Sequence, residues 1–228
     1  MIVPFFSESN GIRRLSIMHM QKLKAEQRRQ AYQARSRQAD RETLSRIIGA
    51  RFMALDAYRR AQTVMVYIGC KTEVGTQPVI LEMLAGDKCL VIPYCTRDDH
   101  GHPKLGLWRL ADFAELSPGT WGILEPPKSR WGEPGKEIEP TEIDLIMVPG
   151  VGFDRRGGRL GNGAGYYDRL LVCVRPDTVL CGLCFESQLF DEIAVEPHDV
   201  AMDVVVTERS VYCGKSRPFA ESSSPELK

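Results

Sequence analysis

No stretch of this 228-residue chain is apolar for long enough to cross a membrane as a helix. Its opening, MIVPFFSESNGIRRL, lacks the charged, apolar and small-residue order of a secretory signal. Neither sign of charge is in excess. Lys plus Arg and Asp plus Glu are 30 each, so no global field favours nucleic acid or an anionic membrane. Seven cysteines, an odd number without framework spacings, do not make a disulfide scaffold and read as reduced thiols of a cytoplasmic protein. Internal repeats are missing, as is the acidic residue that a dinucleotide fingerprint places about twenty positions beyond its glycines. What remains is 43% hydrophobic and 26% charged, an ordinary globular make-up, long enough for one well-packed domain.

Against that background the segment 148–170, VPGVGFDRRGGRLGNGAGYYDRL, stands out. An apolar run from Asp144 predicts a buried strand, and a turn rich in Arg and Gly ends it. Gly157, Gly158, Gly161, Gly163 and Gly165 then crowd the approach to a helical pattern. Backbone without Cβ approaches an anion closely and adopts positive φ, so a phosphate cradle follows. Arg155, Arg156 and Arg159 add fixed positive charge, and Tyr166 and Tyr167 offer stacking faces. Asp168 supplies a carboxylate suited to holding Mg²⁺ against phosphate oxygens. Glycines between a strand and a helix also make simple tight connections, and alone they leave nucleotide binding at about even odds.

The whole string resembles the signature of the 5-formyltetrahydrofolate cyclo-ligase family, also called methenyltetrahydrofolate synthetases: a VPG, a GFD, then RLG-x-G-x-GYYD. Asn162 and Ala164 fall at its variable positions. The resemblance extends over about residues 20 to 210. KAEQR from Lys24 is similar to the family's K-x-x-L-R, with Gln27 in place of the usual apolar residue. Read alone, Lys24 and Arg28 belong to a solvated basic face with Lys22, Arg29, Arg35 and Arg37. Glu73-Val74-x-Thr76, with Ile68 five residues before the acid, matches a folate-lining segment. Trp121, in GTWGILEPP, matches a residue that packs on the reduced folate, and EPHDVAMD places Asp199 at a metal-ligand position.

The resemblance therefore implies ATP contacts from Lys24, Arg28, Arg159, Leu160, Gly161, Asn162, Gly163, Ala164, Gly165, Tyr166 and Tyr167. It implies folate contacts from Ile68, Glu73, Trp121, Asn162, Gly163, Ala164, Gly165 and Tyr166, and Mg²⁺ held by Asp168 and Asp199. A carboxylate such as Glu73 suits a pterin because it accepts two adjacent N–H groups at once. The implied reaction is ATP- and Mg²⁺-dependent closure of 5-formyltetrahydrofolate to 5,10-methenyltetrahydrofolate by a monomer, with no general base assigned. The alternative is a non-catalytic nucleotide- or folate-binding regulator on the same fold; RNA binding, resting on the basic N-terminal helix, is weaker still.

Other clusters carry structural expectations. DDHGHP, with Asp98, Asp99, His100 and His102, reads as a hairpin turn rather than a metal site. Cys181 and Cys184 lie in the alternating segment VLCGLCF and read as inert strand thiols. His198 reads as a hydrogen-bonded turn residue, and Trp108 and Trp131 as packing or surface residues. Periodicity predicts a helix over 20–58 broken near 39–41, helices over 77–84 and 164–173, and strands over 63–68, 89–93, 105–110, 145–148, 178–184 and 204–207. Alternating strands and helices predict a mainly parallel sheet with helices on both faces. The resemblance makes it one three-layer α/β/α domain over 18–212, related to ribose-5-phosphate isomerase and CoA transferases. Residues 1–17 and 213–228 are expected to be a disordered extension and tail.

Overall fold

A computed structural model describes residues 8–196 and 199–214, with side chains placed from residue 18 onward. Three helices open the chain, α1 (Glu8–Arg37), α2 (Arg41–Ala54) and α3 (Asp56–Arg60). They are followed by β1 (Thr63–Met65), α4 (Gln77–Leu84), β2 (Cys89–Arg97), β3 (Pro103–Leu110), β4 (Ser117–Pro118) and β5 (Leu124–Glu125). The second half runs β6 (Leu145–Pro149), β7 (Gly152–Asp154), β8 (Arg159–Leu160), α5 (Tyr166–Leu171), β9 (Val179–Leu183), β10 (Leu189–Phe190), β11 (Val204–Val206) and β12 (Val211–Cys213).

Seven strands form the central sheet in the order β12-β11-β9-β6-β1-β2-β3. The inner five are parallel, and β12 and β3 run antiparallel at the edges. Parallel strands bury both faces, which is why β6 reads as the unbroken run LIMV. Alternate residues separate into two cores. Leu145 and Met147 join Val64, Val66, Cys181 and Leu183 on the face covered by Ile48 and Phe52 of α2 and Ile80 and Met83 of α4. Ile146 and Val148 join Met65, Leu180, Val205 and Phe153 on the other face, with Leu170 and Leu171 of α5. The architecture is the expected three-layer α/β/α domain with a mainly parallel sheet. No helix among the described residues is long and apolar enough to cross a membrane.

The break expected near 39–41 is Asp40, whose φ of 49° and ψ of 33° are left-handed and cannot continue α1. At the other end, α1 is already helical at Glu8, so the boundary drawn after residue 17 falls inside an element. The strand expected over 63–68 is shorter. Val66 still donates to the Val91 carbonyl at 2.8 Å, but Tyr67 then turns its carbonyl to the Thr76 hydroxyl at 2.6 Å and the chain leaves the ladder. The helix expected from Ala164 starts only at Tyr166, because Gly165 has a φ of 70°. A second small sheet, β10-β7-β8, was not foreseen; its strands of two or three residues are too short to show alternation. Of the expected tail, Cys213 closes β12, and 215–228 lie outside the described residues.

Candidate active site

A cavity of about 530 Å³ opens where β1, β2 and β6 end, the edge at which parallel α/β sheets take ligands. Its lining brings together Ile68, Glu73, Trp121, Arg159, Gly161, Asn162, Gly163, Ala164, Gly165, Tyr166, Tyr167 and Asp168. Those residues are spread over almost half of the chain. Leu160, at the end of β8, is buried beneath the loop and does not reach the cavity.

One wall is the glycine loop, 161–165. Gly163 and Gly165 have φ of 93° and 70°, and a Cβ on Gly165 would also meet the Arg169 guanidinium at 2.9 Å. Arginines hold the loop by its carbonyls: Arg28 Nε donates to Gly161 at 2.8 Å and Arg169 Nη2 to Ala164 at 2.8 Å. The Tyr32 hydroxyl donates to the Asn162 side-chain oxygen. Beneath the loop, Arg159 is buried, donates to the Asp168 carboxylate, and lies 5.9 Å from the Tyr167 ring centroid. Its Nε has no hydrogen-bond partner among the described residues.

The helix α1 supplies a polar stripe. Lys24, Gln27, Ala31 and Arg35 are buried while Lys22, Arg29 and Arg37 are exposed, a helical spacing that turns one face inward. Lys24 donates to Asp199 at 2.6 Å and to Glu196 at 2.7 Å. Burial works against the ammonium, but the hydrogen bonds to Asp199 and Glu196 outweigh it and raise its pKa. Gln27, where the family has an apolar residue, donates to the Glu192 carbonyl at 2.8 Å and accepts from the Ala194 amide at 3.0 Å. Its amide thus pairs with backbone as a strand would.

One expectation is corrected on this side. Arg35, grouped with the solvated cations, is 6% exposed and lines the cavity. Asp199 lies outside the cavity that Asp168 lines, its carboxylate engaged by Lys24 and the Glu196 amide. The geometry therefore places Asp199 as an anchor for Lys24. No group of three or more His, Cys, Asp or Glu able to hold a metal occurs among the described residues. Asp168, a hard oxygen donor on the cavity wall, fits Mg²⁺ completed by phosphate and water oxygens.

Side chains make up the rest of the lining. Glu73 accepts from the Cys70 amide at 3.1 Å and stands 3.7 Å from Arg35 Nη1. Beside it, Tyr67 and Tyr167 have pKa values pushed well up, first by burial and then by the negative charge of Glu73. The Cys95 thiol is raised to about 11 by burial and by Glu125. Trp121 stands at the mouth, 67% exposed, with its ring edge-on to Tyr166 at 6.2 Å. Its φ of 58° is left-handed, a conformation costing a bulky residue about 1 kcal/mol or more. Glu125 pins that turn, accepting from the amides of Thr120 at 3.1 Å and Cys95 at 3.2 Å.

The remaining clusters are structural, as expected. Asp98 accepts from the His100 and His102 amides at 3.0 and 2.8 Å, closing the β2–β3 hairpin. Cys181 and Cys184 are fully buried, with thiol pKa values raised by burial. Trp108 is a core residue donating to Glu115, and Trp131 is half-buried, donating to Pro126. His198 lies outside the described residues.

The fold and the site define a class first: α/β domains that bind small molecules over the ends of a parallel sheet, with a glycine loop at the pocket. Residues 8–208 match the 5-formyltetrahydrofolate cyclo-ligase family, and the chain belongs to that family. A 5-formyltetrahydrofolate cyclo-ligase of Mycolicibacterium smegmatis is 34% identical over 148 residues, 65% of this chain and 74% of the relative. One from Saccharomyces cerevisiae is 32% identical over 190 residues, 74% of this chain and 84% of the relative. The solved structure of Aquifex aeolicus 5,10-methenyltetrahydrofolate synthetase superposes with a TM-score of 0.70 at 31% identity, covering 89% of this chain and 100% of that one.

Proposed function

We propose that this chain closes 5-formyltetrahydrofolate to 5,10-methenyltetrahydrofolate at the expense of ATP, releasing ADP and phosphate. One observation carries the reading. A single cavity has the glycine loop on one wall and Ile68 and Glu73 on the other, so a phosphate and a pterin can meet within it. The formamide carbon is a poor electrophile and its oxygen a poor leaving group. Attack of the formyl oxygen on the γ-phosphate, with ADP departing, turns that oxygen into phosphate ester. N10 then adds to the iminium carbon and gives up its proton to water, and expulsion of phosphate leaves the methenyl bridge. Positioning and charge neutralisation dominate such transfers, in keeping with a site rich in cations and without an assigned general base.

In this reading the phosphates lie against the loop 161–165 and Arg159. Lys24 and Arg28, which stand outside the cavity lining, reach toward them from α1, and Tyr166 and Tyr167 close the helix side. Glu73 takes the pterin N–H groups, with Ile68 and Trp121 against the ring. Mg²⁺, which would be held at Asp168, supplies charge neutralisation at the phosphate oxygens. We take the protein to act as a monomer, and its seven unpaired cysteines accord with a cytoplasmic setting.

The test is the growth of methenyltetrahydrofolate absorbance when purified protein meets 5-formyltetrahydrofolate, Mg²⁺ and ATP. Growth should stop when either ATP or Mg²⁺ is withheld. Binding of both substrates without any absorbance change would favour the non-catalytic regulator.

A further inference from the structure

The guanidinium of Arg35 is the buried group that the reading above leaves unused. It sits 6% exposed on the inward face of α1, two turns beyond Arg28, and lines the cavity beside Glu73. Its orientation is fixed from two sides: Nε donates to the Thr72 hydroxyl at 2.9 Å, and the guanidinium carbon lies 5.2 Å from the Tyr32 ring centroid. Nη1, however, has no hydrogen-bond partner among the described residues, and its distance of 3.7 Å from Glu73 Oε1 is too long for one. A buried, unpaired guanidinium N–H is costly to maintain. An acceptor arriving with a ligand relieves that cost.

The chemistry of that acceptor follows from what stands next to it. A carboxylate and a guanidinium side by side offer acceptors and then a donor along one line. The pyrimidine edge of a 4-oxo pterin is the complement: a 2-amino N–H, the N3–H, and then the O4 carbonyl. We infer that Arg35 is a specificity-determining residue of the folate subsite, donating to O4 while Glu73 accepts from the two N–H groups. This inference rests on the reading that Glu73 meets the pterin. It adds to the preference that Glu73 already gives through the N3–H, which a 4-amino pterin lacks, because the 4-amino group also puts a donor where the guanidinium donates.

The experiment measures binding of a 4-oxo folate and of its 4-amino analogue to wild type, Arg35→Met and Arg35→Lys, each also titrated with a non-hydrolysable ATP analogue. Wild type should prefer the 4-oxo ligand by roughly ten- to a hundredfold, the scale of one hydrogen bond to a charged group. Arg35→Met keeps the stem but loses the donor, and should cut the preference by roughly tenfold, leaving the part owed to the N3–H contact of Glu73 and leaving ATP-analogue affinity unchanged. Equal weakening of both pterins would make Arg35 a merely structural support of Glu73, and an unchanged preference would remove it from the subsite; either result overturns the inference. Should Arg35→Met fail to fold, Arg35→Lys decides. One shorter-reaching donor should narrow the preference severalfold, and a preference equal to wild type counts against the assignment. Failure of wild type to bind any folate would instead contradict the proposed function itself.

Discussion

The two walls of the cavity solve opposite recognition problems. The glycine loop presents backbone, with Asn162, Gly163 and Ala164 exposed and the chain bent by left-handed glycines. The rest of the lining presents side chains, with Arg35 and Glu73 fixed by contacts made before any ligand arrives. A phosphate is charged on all sides, and closely approaching amides and cations satisfy it in many poses. A flat heterocycle carries its identity in a few donors and acceptors along one edge, so its wall must be pre-set. The difference predicts that changes on the loop side alter ATP handling and changes on the other side alter folate handling.

The largest effect should come from Lys24→Ala, which strands the Asp199 and Glu196 carboxylates that Lys24 now neutralises. Removing one partner of a mostly buried ion cluster costs about 3 kcal/mol. Chemical denaturation should show that loss, and the apparent KM for ATP should rise far more than that for folate. An equal rise in both would break the division between walls. Asp168→Asn comes next. It weakens the charged hydrogen bond from Arg159 and removes the negative charge of the oxygen donor that lines the cavity. Turnover at limiting Mg²⁺ should fall roughly ten- to a hundredfold with the fold intact. Near wild-type turnover would remove the metal from this residue.

Smaller effects sharpen the folate side. Trp121→Gly releases a left-handed tryptophan, so stability should rise by up to about 1 kcal/mol while folate affinity drops severalfold for want of the ring. A stability loss would show that the exposed indole is packed rather than poised. Last, Cys95 should stay silent. With its pKa raised to about 11 it is about a thousandth thiolate at pH 8, and its reactivity should climb only as pH rises toward 11. Iodoacetamide at pH 8 should therefore label exposed Cys173 and Cys213 long before it; rapid labelling of Cys95 would contradict the burial of its thiol.

The same contrast explains what could be read from the sequence. The backbone wall is contiguous, and its requirement for glycine shows directly in RLGNGAGYYD. The parallel sheet was legible too, since runs such as LIMV announce strands buried on both faces. The side-chain wall is assembled from positions 35, 67–73 and 121, which no local pattern links; Ile68, Glu73 and Trp121 were found only through resemblance. Arg35 was misread because an arginine on a helix dense in charge looks solvated. Its spacing of seven from Arg28 did signal a shared face, but only the packed α1 shows that the face points inward. Asp199 came from the motif as well, and a motif names a carboxylate without naming its partner, here Lys24.

The division of labour is tested most directly by titrating Glu73→Gln separately with a folate analogue and an ATP analogue. The substitution keeps size but turns one acceptor oxygen into a donor facing the pterin's own N–H groups. Folate affinity should fall about ten- to a hundredfold, the scale of roughly 1–3 kcal/mol for a buried mismatch, while ATP-analogue affinity stays within about twofold. Unchanged folate affinity, or a parallel loss of both ligands, would contradict the account.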